Sequence, residues 1–171
     1  MKGLVQIYTG NGKGKTTSAF GLALRASGQG KKILIAQFMK GQPYGENISL
    51  KENKNIDIVQ YGWEACIRKD EVRELHKRIV ENGLSECLVK MLENSYDIVI
   101  LDEIIVSIWF GLLDEKKLFD FINVKPLETE LVLTGRYASE ALVEKADLVT
   151  EMREIKHPYE KGIQARKGIE F

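Results

Sequence analysis

Residues 9–17, Thr-Gly-Asn-Gly-Lys-Gly-Lys-Thr-Thr, constrain this chain more than any other stretch. Gly10, Gly12 and Gly14 let the backbone turn its N–H groups inward, as a loop must do to surround phosphate oxygens. Just before it, Leu-Val-Gln-Ile-Tyr at 4–8 reads as a short buried strand. Just after it, Ala19, Phe20, Ala23 and Leu24 recur at helical spacing within 16–26. A strand, a glycine-rich loop and a helix in that order bring the positive end of a helix dipole to the loop.

The loop is therefore a P-loop, and ATP is its expected ligand. Lys15 is placed to reach the outer phosphates and the Thr16 hydroxyl to bind Mg²⁺. The whole run, Thr9, Gly10, Asn11, Gly12, Lys13, Gly14, Lys15, Thr16 and Thr17, is expected at the nucleotide. One departure is visible: the usual G-x-x-x-x-G-K-[ST] pattern has a glycine where this chain has Thr9, and Gly10 follows one step later. Lys13 reads either as an extra triphosphate contact or as a solvated surface lysine.

Further strands are expected at 33–38, 56–60, 98–101 and 131–134, with a sixth at 148–150. The apolar run Ile98-Val99-Ile100-Leu101 suits a central parallel strand. Helical spacing marks 72–92, with a break near Gly83, then 104–122 in two pieces about Gly111, and 139–145. The stretch 40–55, rich in Gly, Asn, Lys and Pro, reads as a loop over the site. Strands alternating with helices predict an α/β fold: a P-loop NTPase-like (RecA-like) three-layer sandwich with a mainly parallel sheet. The 171 residues are expected to form one domain.

Asp102 and Glu103 follow the apolar run directly. Carboxylates at the carboxyl end of such a strand face the nucleotide and offer Mg²⁺ the oxygen ligands that a hard cation prefers. Which of the two touches the metal is left open by spacing alone. Thr16, Asp102 and Glu103 are thus the candidate metal set, and Lys15, Thr16 and Glu103 the candidate catalytic set. Arg136 follows another strand end, where α/β proteins bind ligands.

Lysine plus arginine equals aspartate plus glutamate, at 25 each, which argues against a nucleic-acid coat. The amino terminus is too short and too soon glycine-rich for a signal peptide, and no long apolar run predicts a membrane span. Cys66 and Cys87 form no Cys-x-x-Cys pair, so a disulfide scaffold or zinc site is not expected. These features predict a cytoplasmic protein with reduced thiols.

Beyond the loop, several segments resemble the P-loop ATP:corrinoid adenosyltransferases. They are Thr9 to Gly21, Gln37-Phe38-Met39-Lys40-Gly41, Val99 to Glu103, Leu133-Thr134-Gly135-Arg136, Ala146 to Met152, and the tail from Lys156-His157-Pro158-Tyr159 to Phe171. The tail is the most specific of these. The resemblance implies that Co(I) of cobalamin, or of its precursor cob(I)yrinic acid a,c-diamide, attacks C5′ of ATP and tripolyphosphate leaves. It also implies a homodimer, a Co(II)-reducing flavoprotein partner, and contacts to nucleotide or corrinoid from Lys40, Arg136, Lys156, His157 and Lys167. His157 also reads as a turn residue before Pro158, and His76 as an exposed helix residue. Some family members use aromatics near the third strand to exclude the corrin's lower ligand. Tyr61 and Trp63 read either in that role or as packing against a neighbouring helix. A small nucleoside kinase and an ATP-dependent corrinoid carrier are the competing readings.

Overall fold

The computed structural model describes residues 2–65, 67–93 and 96–170. Among them, six strands form one sheet: β1 Val5–Thr9, β2 Ile33–Phe38, β3 Ile56–Tyr61, β4 Ile98–Asp102, β5 Glu130–Thr134 and β6 Leu148–Glu151. Their order is β3-β2-β4-β5-β1-β6, and every adjacent pair is parallel. The helices are α1 Lys15–Ser27, α2 Gly45–Leu50, α3 Glu74–Glu93, α4 Ile104–Trp109, α5 Glu115–Asn123 and α6 Glu140–Lys145. The expected three-layer P-loop NTPase-like fold is adopted, with a sheet that is parallel throughout.

The period of two along β2 explains the layers. Ile33 and Ile35 point to one face and pack with Ala19, Phe20 and Ala23 of α1. Leu34, Ala36 and Phe38 point to the other and pack with Val80, Leu84, Cys87 and Met91 of α3. All six residues of β2 are buried, as an inner strand covered on both faces should be. Full burial of each such aliphatic side chain contributes about 1.5–3 kcal/mol. By contrast, β6 is a four-residue edge strand exposed along its length.

Two local expectations change. The 40–55 stretch is not all loop, because α2 lies within it. Six residues make a marginal helix alone, and tertiary contacts hold this one: Asn47 Nδ2 donates to Gln37 Oε1 at 2.8 Å, and Leu50 packs beside the α1 layer. Nor does α3 break at Gly83. A Cβ there would lie 2.4 Å from Cγ of Tyr61, so the missing side chain makes room for that ring. The break at Gly111 is present, with φ 73° between α4 and α5.

No helix among the described residues is long and apolar enough to cross a membrane. Cys87 is a free buried thiol, and Cys66 lies outside the described residues.

What positions the site is the path of α1. It starts at the carboxyl end of β1 and runs back across β2, β4 and β5. Its first turn therefore sits over the end of β4, and residues far apart in sequence meet there.

Candidate active site

The P-loop leaves β1 at Thr9 and enters α1 at Lys15, with Gly10 and Gly14 at φ 93° and 121°, values that favour glycine. No side chain caps α1, so its first N–H groups are open to an anion. Lys15 is buried and folds back on its own loop. Its Nζ donates to the carbonyls of Gly10 and Gly12, each at 2.8 Å. Burial lowers its pKa, with the Glu103 carboxylate acting in the opposite direction.

Asp102, the last residue of β4, is fully buried and ties four segments together. It accepts from Thr16 Oγ1 of α1 at 2.9 Å, from Thr134 Oγ1 of β5 at 2.7 Å, and from Lys40 Nζ beyond β2 at 2.8 Å. Lys40 is half-buried; burial alone would lower its pKa, but the charge and hydrogen bond of Asp102 raise it on balance. Thr134 has a second task, since its hydroxyl accepts the N–H of Glu103 at 2.9 Å.

Glu103 begins α4 in the left-handed region, at φ 63°. A bulky residue there is unusual and marks a site where surrounding structure imposes the conformation. Burial raises the pKa of its carboxyl, the neighbouring Asp102 adds to the rise, and Lys40, Lys15 and Arg136 oppose it.

Lys15, Thr16, Lys40 and Glu103 border one cavity of about 680 Å³. Its floor is the loop from Asn11 to Thr17. Lys40, Glu103 and Arg136 stand on its walls, and Arg136 is exposed. Thr9, Gly10 and Asp102 lie outside its lining, Asp102 just beneath it through Thr16. The structure thus brings together Asn11, Gly12, Lys13, Gly14, Lys15, Thr16, Thr17, Lys40, Glu103 and Arg136.

Residues without an expected role also border the cavity. Tyr44, Glu46 and Ser49 come from α2 and its start, and Ile169 and Glu170 from the tail, beside His157, whose contact was expected. Lys13 is neither free nor simply solvated: its Nζ donates to Ile169 O at 2.9 Å and pairs with Glu170 at 3.0 Å. His157 both caps a 3₁₀ turn, its Nδ1 accepting from Tyr159 N, and lines the cavity. Lys156 lines a neighbouring depression instead, and Lys167 does not line the cavity.

The aromatic that ends β3 and the one that follows it pack against α3. Tyr61 lies over Gly83 and donates to Glu86 Oε2 at 2.8 Å. Trp63 stacks on His76 at 4.4 Å between ring centroids, so His76 is partly covered rather than exposed.

Thr134 and Tyr44 are the contributions that sequence reasoning missed. A hydroxyl closing the apolar run of β5, parallel to a run closing in carboxylates, was the signal for Thr134. An aromatic inside a Gly/Pro-rich segment was a weaker one for Tyr44.

Chemically, the site combines an open helix N-terminus, three lysines, an arginine and a buried carboxylate held by two hydroxyls. This is a polyanion cradle with oxygen donors for a hard cation at its base.

The family model described as ATP:corrinoid adenosyltransferase BtuR/CobO/CobP matches residues 1–171. The corrinoid adenosyltransferase of Escherichia coli (strain K12) is 33% identical over 174 residues, 99% of this chain and 86% of that protein. One from Sinorhizobium sp is 35% identical over 178 residues, 99% and 81% of the two chains. Corrinoid adenosyltransferase CobA of Salmonella typhimurium (strain LT2) is 32% identical over 174 residues, 99% and 86%.

Proposed function

Because the chain belongs to the ATP:corrinoid adenosyltransferase family, and is thus an enzyme that transfers the adenosyl group of ATP to a corrinoid, we propose that the P-loop cavity is where it holds the triphosphate during that transfer. The observation that supports this most is the convergence of Lys15, Lys40 and Arg136 on one cavity at the open end of α1, above the buried Asp102.

In this reading Co(I) uses its electron pair to form a bond to C5′, the C5′–O5′ bond breaks, and tripolyphosphate leaves with that electron pair. Co(I) brings no proton, so no general base is needed. The residues of this chain instead stabilise charge growing on the leaving oxygens. Lys15 exchanges its carbonyl partners for phosphate oxygens, and Lys40, Arg136 and the first N–H groups of α1 add further contacts. Glu103, set by its left-handed backbone beside Lys15, lies at the cavity wall to orient what binds there.

The donor chemistry at the base suits Mg²⁺. Asp102 is a buried carboxylate beside the Thr16 hydroxyl, and a lysine ammonium already stands at these oxygens in a cation's place. Thr16 and Asp102 would hold the ion, with Glu103 in reach of the same cavity. When bound, Mg²⁺ supplies positive charge to the leaving triphosphate. A homodimer, a cytoplasmic location and a flavoprotein that reduces Co(II) complete the proposal, each supported by the family resemblance.

The test is anaerobic: the protein, Mg-ATP and chemically reduced cob(I)alamin, followed by corrinoid absorbance and phosphate analysis. A light-sensitive cobalt–carbon product with equimolar tripolyphosphate is expected, and Lys15→Ala should lose it. ADP formation with a nucleoside acceptor, and no corrinoid product from cobalamin or its cobyrinic precursor, would overturn the reading.

A further inference from the structure

Lys40 stands where a metal would have to stand. Its Nζ is 2.8 Å from Asp102 Oδ2 and 3.4 Å from Thr16 Oγ1, and that hydroxyl in turn donates to Asp102 Oδ1 at 2.9 Å. The ammonium is therefore shared between the same hydroxyl and the same carboxylate that were assigned above to Mg²⁺. The Asp102 side chain is 0% exposed and that of Lys40 only 14%. Little water is present to screen the charges, so two cations at contact distance from one carboxylate repel strongly. A magnesium ion also draws its oxygen ligands in to about 2.1 Å. The ammonium and the metal exclude one another.

Neither can simply be absent. Asp102 stripped of both would be a buried carboxylate without a counter-charge, an arrangement that folded proteins avoid. Lys40 can leave only when another cation replaces it and another anion receives it. The way out is open on one side. Lys40 lines the phosphate cavity, and its ammonium lies 5.1 Å from the centroid of the Tyr44 ring, on the wall that also carries Glu46. Among the described residues, no group of three His, Cys, Asp or Glu side chains could hold a metal unaided. That agrees with a Mg²⁺ site completed by substrate phosphates.

Resting on the assignment of Thr16 and Asp102 as metal donors, we propose that Lys40 is a resident counter-ion that keeps divalent cations out until a nucleotide arrives. The incoming triphosphate delivers its metal to Thr16 and Asp102 and receives the displaced Lys40 ammonium as a phosphate contact. Metal and nucleotide then bind as one event. The free protein has little affinity for the ion, and each ligand strengthens binding of the other by the same factor. Lys40 is thus one side chain that neutralises Asp102 before binding and the triphosphate afterwards.

Mn²⁺ is the probe, with the electron paramagnetic resonance signal of the free ion reporting its uptake by nucleotide-free protein. Lys40→Met should bind Mn²⁺ at least tenfold more tightly than the wild type. Its Tm should rise with added Mn²⁺ while the wild-type Tm stays still. Equal Mn²⁺ affinity in the two proteins would overturn the proposal, as would a Lys40→Met protein that Mn²⁺ neither binds nor stabilises. Lys40→Gln, which removes the charge but keeps a hydrogen-bond donor, provides a second variant with the same expectations. If neither variant folds in metal-free buffer, recovery of the fold on adding Mn²⁺ supports the proposal and failure to recover counts against it. The assignment beneath it is tested separately, by Asp102→Asn in an otherwise wild-type chain with ATP present. Undiminished uptake of Mn²⁺ with ATP there would show the donors to be wrongly assigned, whatever Lys40 does.

Discussion

The backbone N–H of Gly12 donates to the carbonyl oxygen of Met152 at 2.7 Å, which ties the middle of the P-loop to the chain leaving β6. Met152 returns a bond from its own N–H to Thr9 O at 2.9 Å. The Gly12 amide thus faces protein, and the amides open to an anion are those nearer α1. The same stitching explains Thr9 at a position where glycine is usual. Thr9 is the last residue of β1, paired with Glu151 of β6, and an extended strand residue needs no glycine.

A Cβ on Gly12 would lie 2.7 Å from the Met152 oxygen and 2.9 Å from the Arg153 carbonyl carbon. Both are backbone atoms that cannot swing aside. Gly12→Ala should therefore destabilise the protein by about 1–3 kcal/mol. The control is Gly21→Ala, in the exposed middle of α1 with nothing within 4 Å of the new carbon. It should stabilise by about 0.5–1 kcal/mol. Urea unfolding of both variants checks the pair, and equal effects would show that the β6 stitching carries no weight.

Thr134→Val removes one hydroxyl that serves two partners, Asp102 Oδ1 and the N–H of Glu103. Valine fills nearly the same space, so packing changes little, while two polar groups of the site lose a bond. The expected loss is about 1–3 kcal/mol, or roughly 2–4 °C of Tm per kcal/mol for a chain of this size. The turnover number should fall as well, because the strained backbone of Glu103 loses its anchor. A variant with unchanged Tm and turnover would remove Thr134 from the site.

Burial pushes the Cys87 thiol up to about 12, from an ordinary value of 9.0. A raised pKa means that the thiol's contribution to stability is complete below pH 9 and is lost as pH climbs toward 12. At pH 8 the native thiolate fraction is roughly one in ten thousand, and it is the thiolate that reacts. In a Cys66→Ser background, iodoacetamide at pH 8 should label Cys87 at least about a hundredfold faster in urea than in buffer. Rapid labelling of the native protein, read by mass spectrometry, would contradict this burial.

The sheet and the loop were legible because their signals are local. Six short strand patterns and a glycine-rich turn show their character within a few residues of themselves. The same locality misled at Gly83, where glycine in a helical pattern suggests a break. The residue is there for the ring of Tyr61, which approaches from β3. Asp102 and Glu103 could be picked out by their place after an apolar run. Their division of labour could not, because it rests on Thr16, Lys40 and Thr134 arriving from three other segments. Similarly, α2 reads as loop because its few residues are held by Gln37 and by Leu50 packing, neither visible as periodicity.

The tail makes the last prediction. Glu170 accepts from the Arg166 guanidinium and backbone N–H and pairs with Lys13 of the P-loop. Arg166 first, then Lys13, holds its carboxyl well below the usual range, at about 2. A depressed pKa means that the tie is complete above the ordinary carboxylate value, about 4.3, and is released as pH falls toward 2. Glu170→Gln removes the charge at neutral pH and should mimic that release. Ile169 and Glu170 line the cavity above Lys13, so the variant should raise KM for ATP severalfold with a smaller change in kcat. Trypsin should also cut after Arg166 or Lys167 several times faster than in the wild type, and saturating ATP should slow the cut if the nucleotide lies under the tail. Equal cleavage rates and an unchanged KM would mean that the ion pair rides on the surface and the tail is no part of the site.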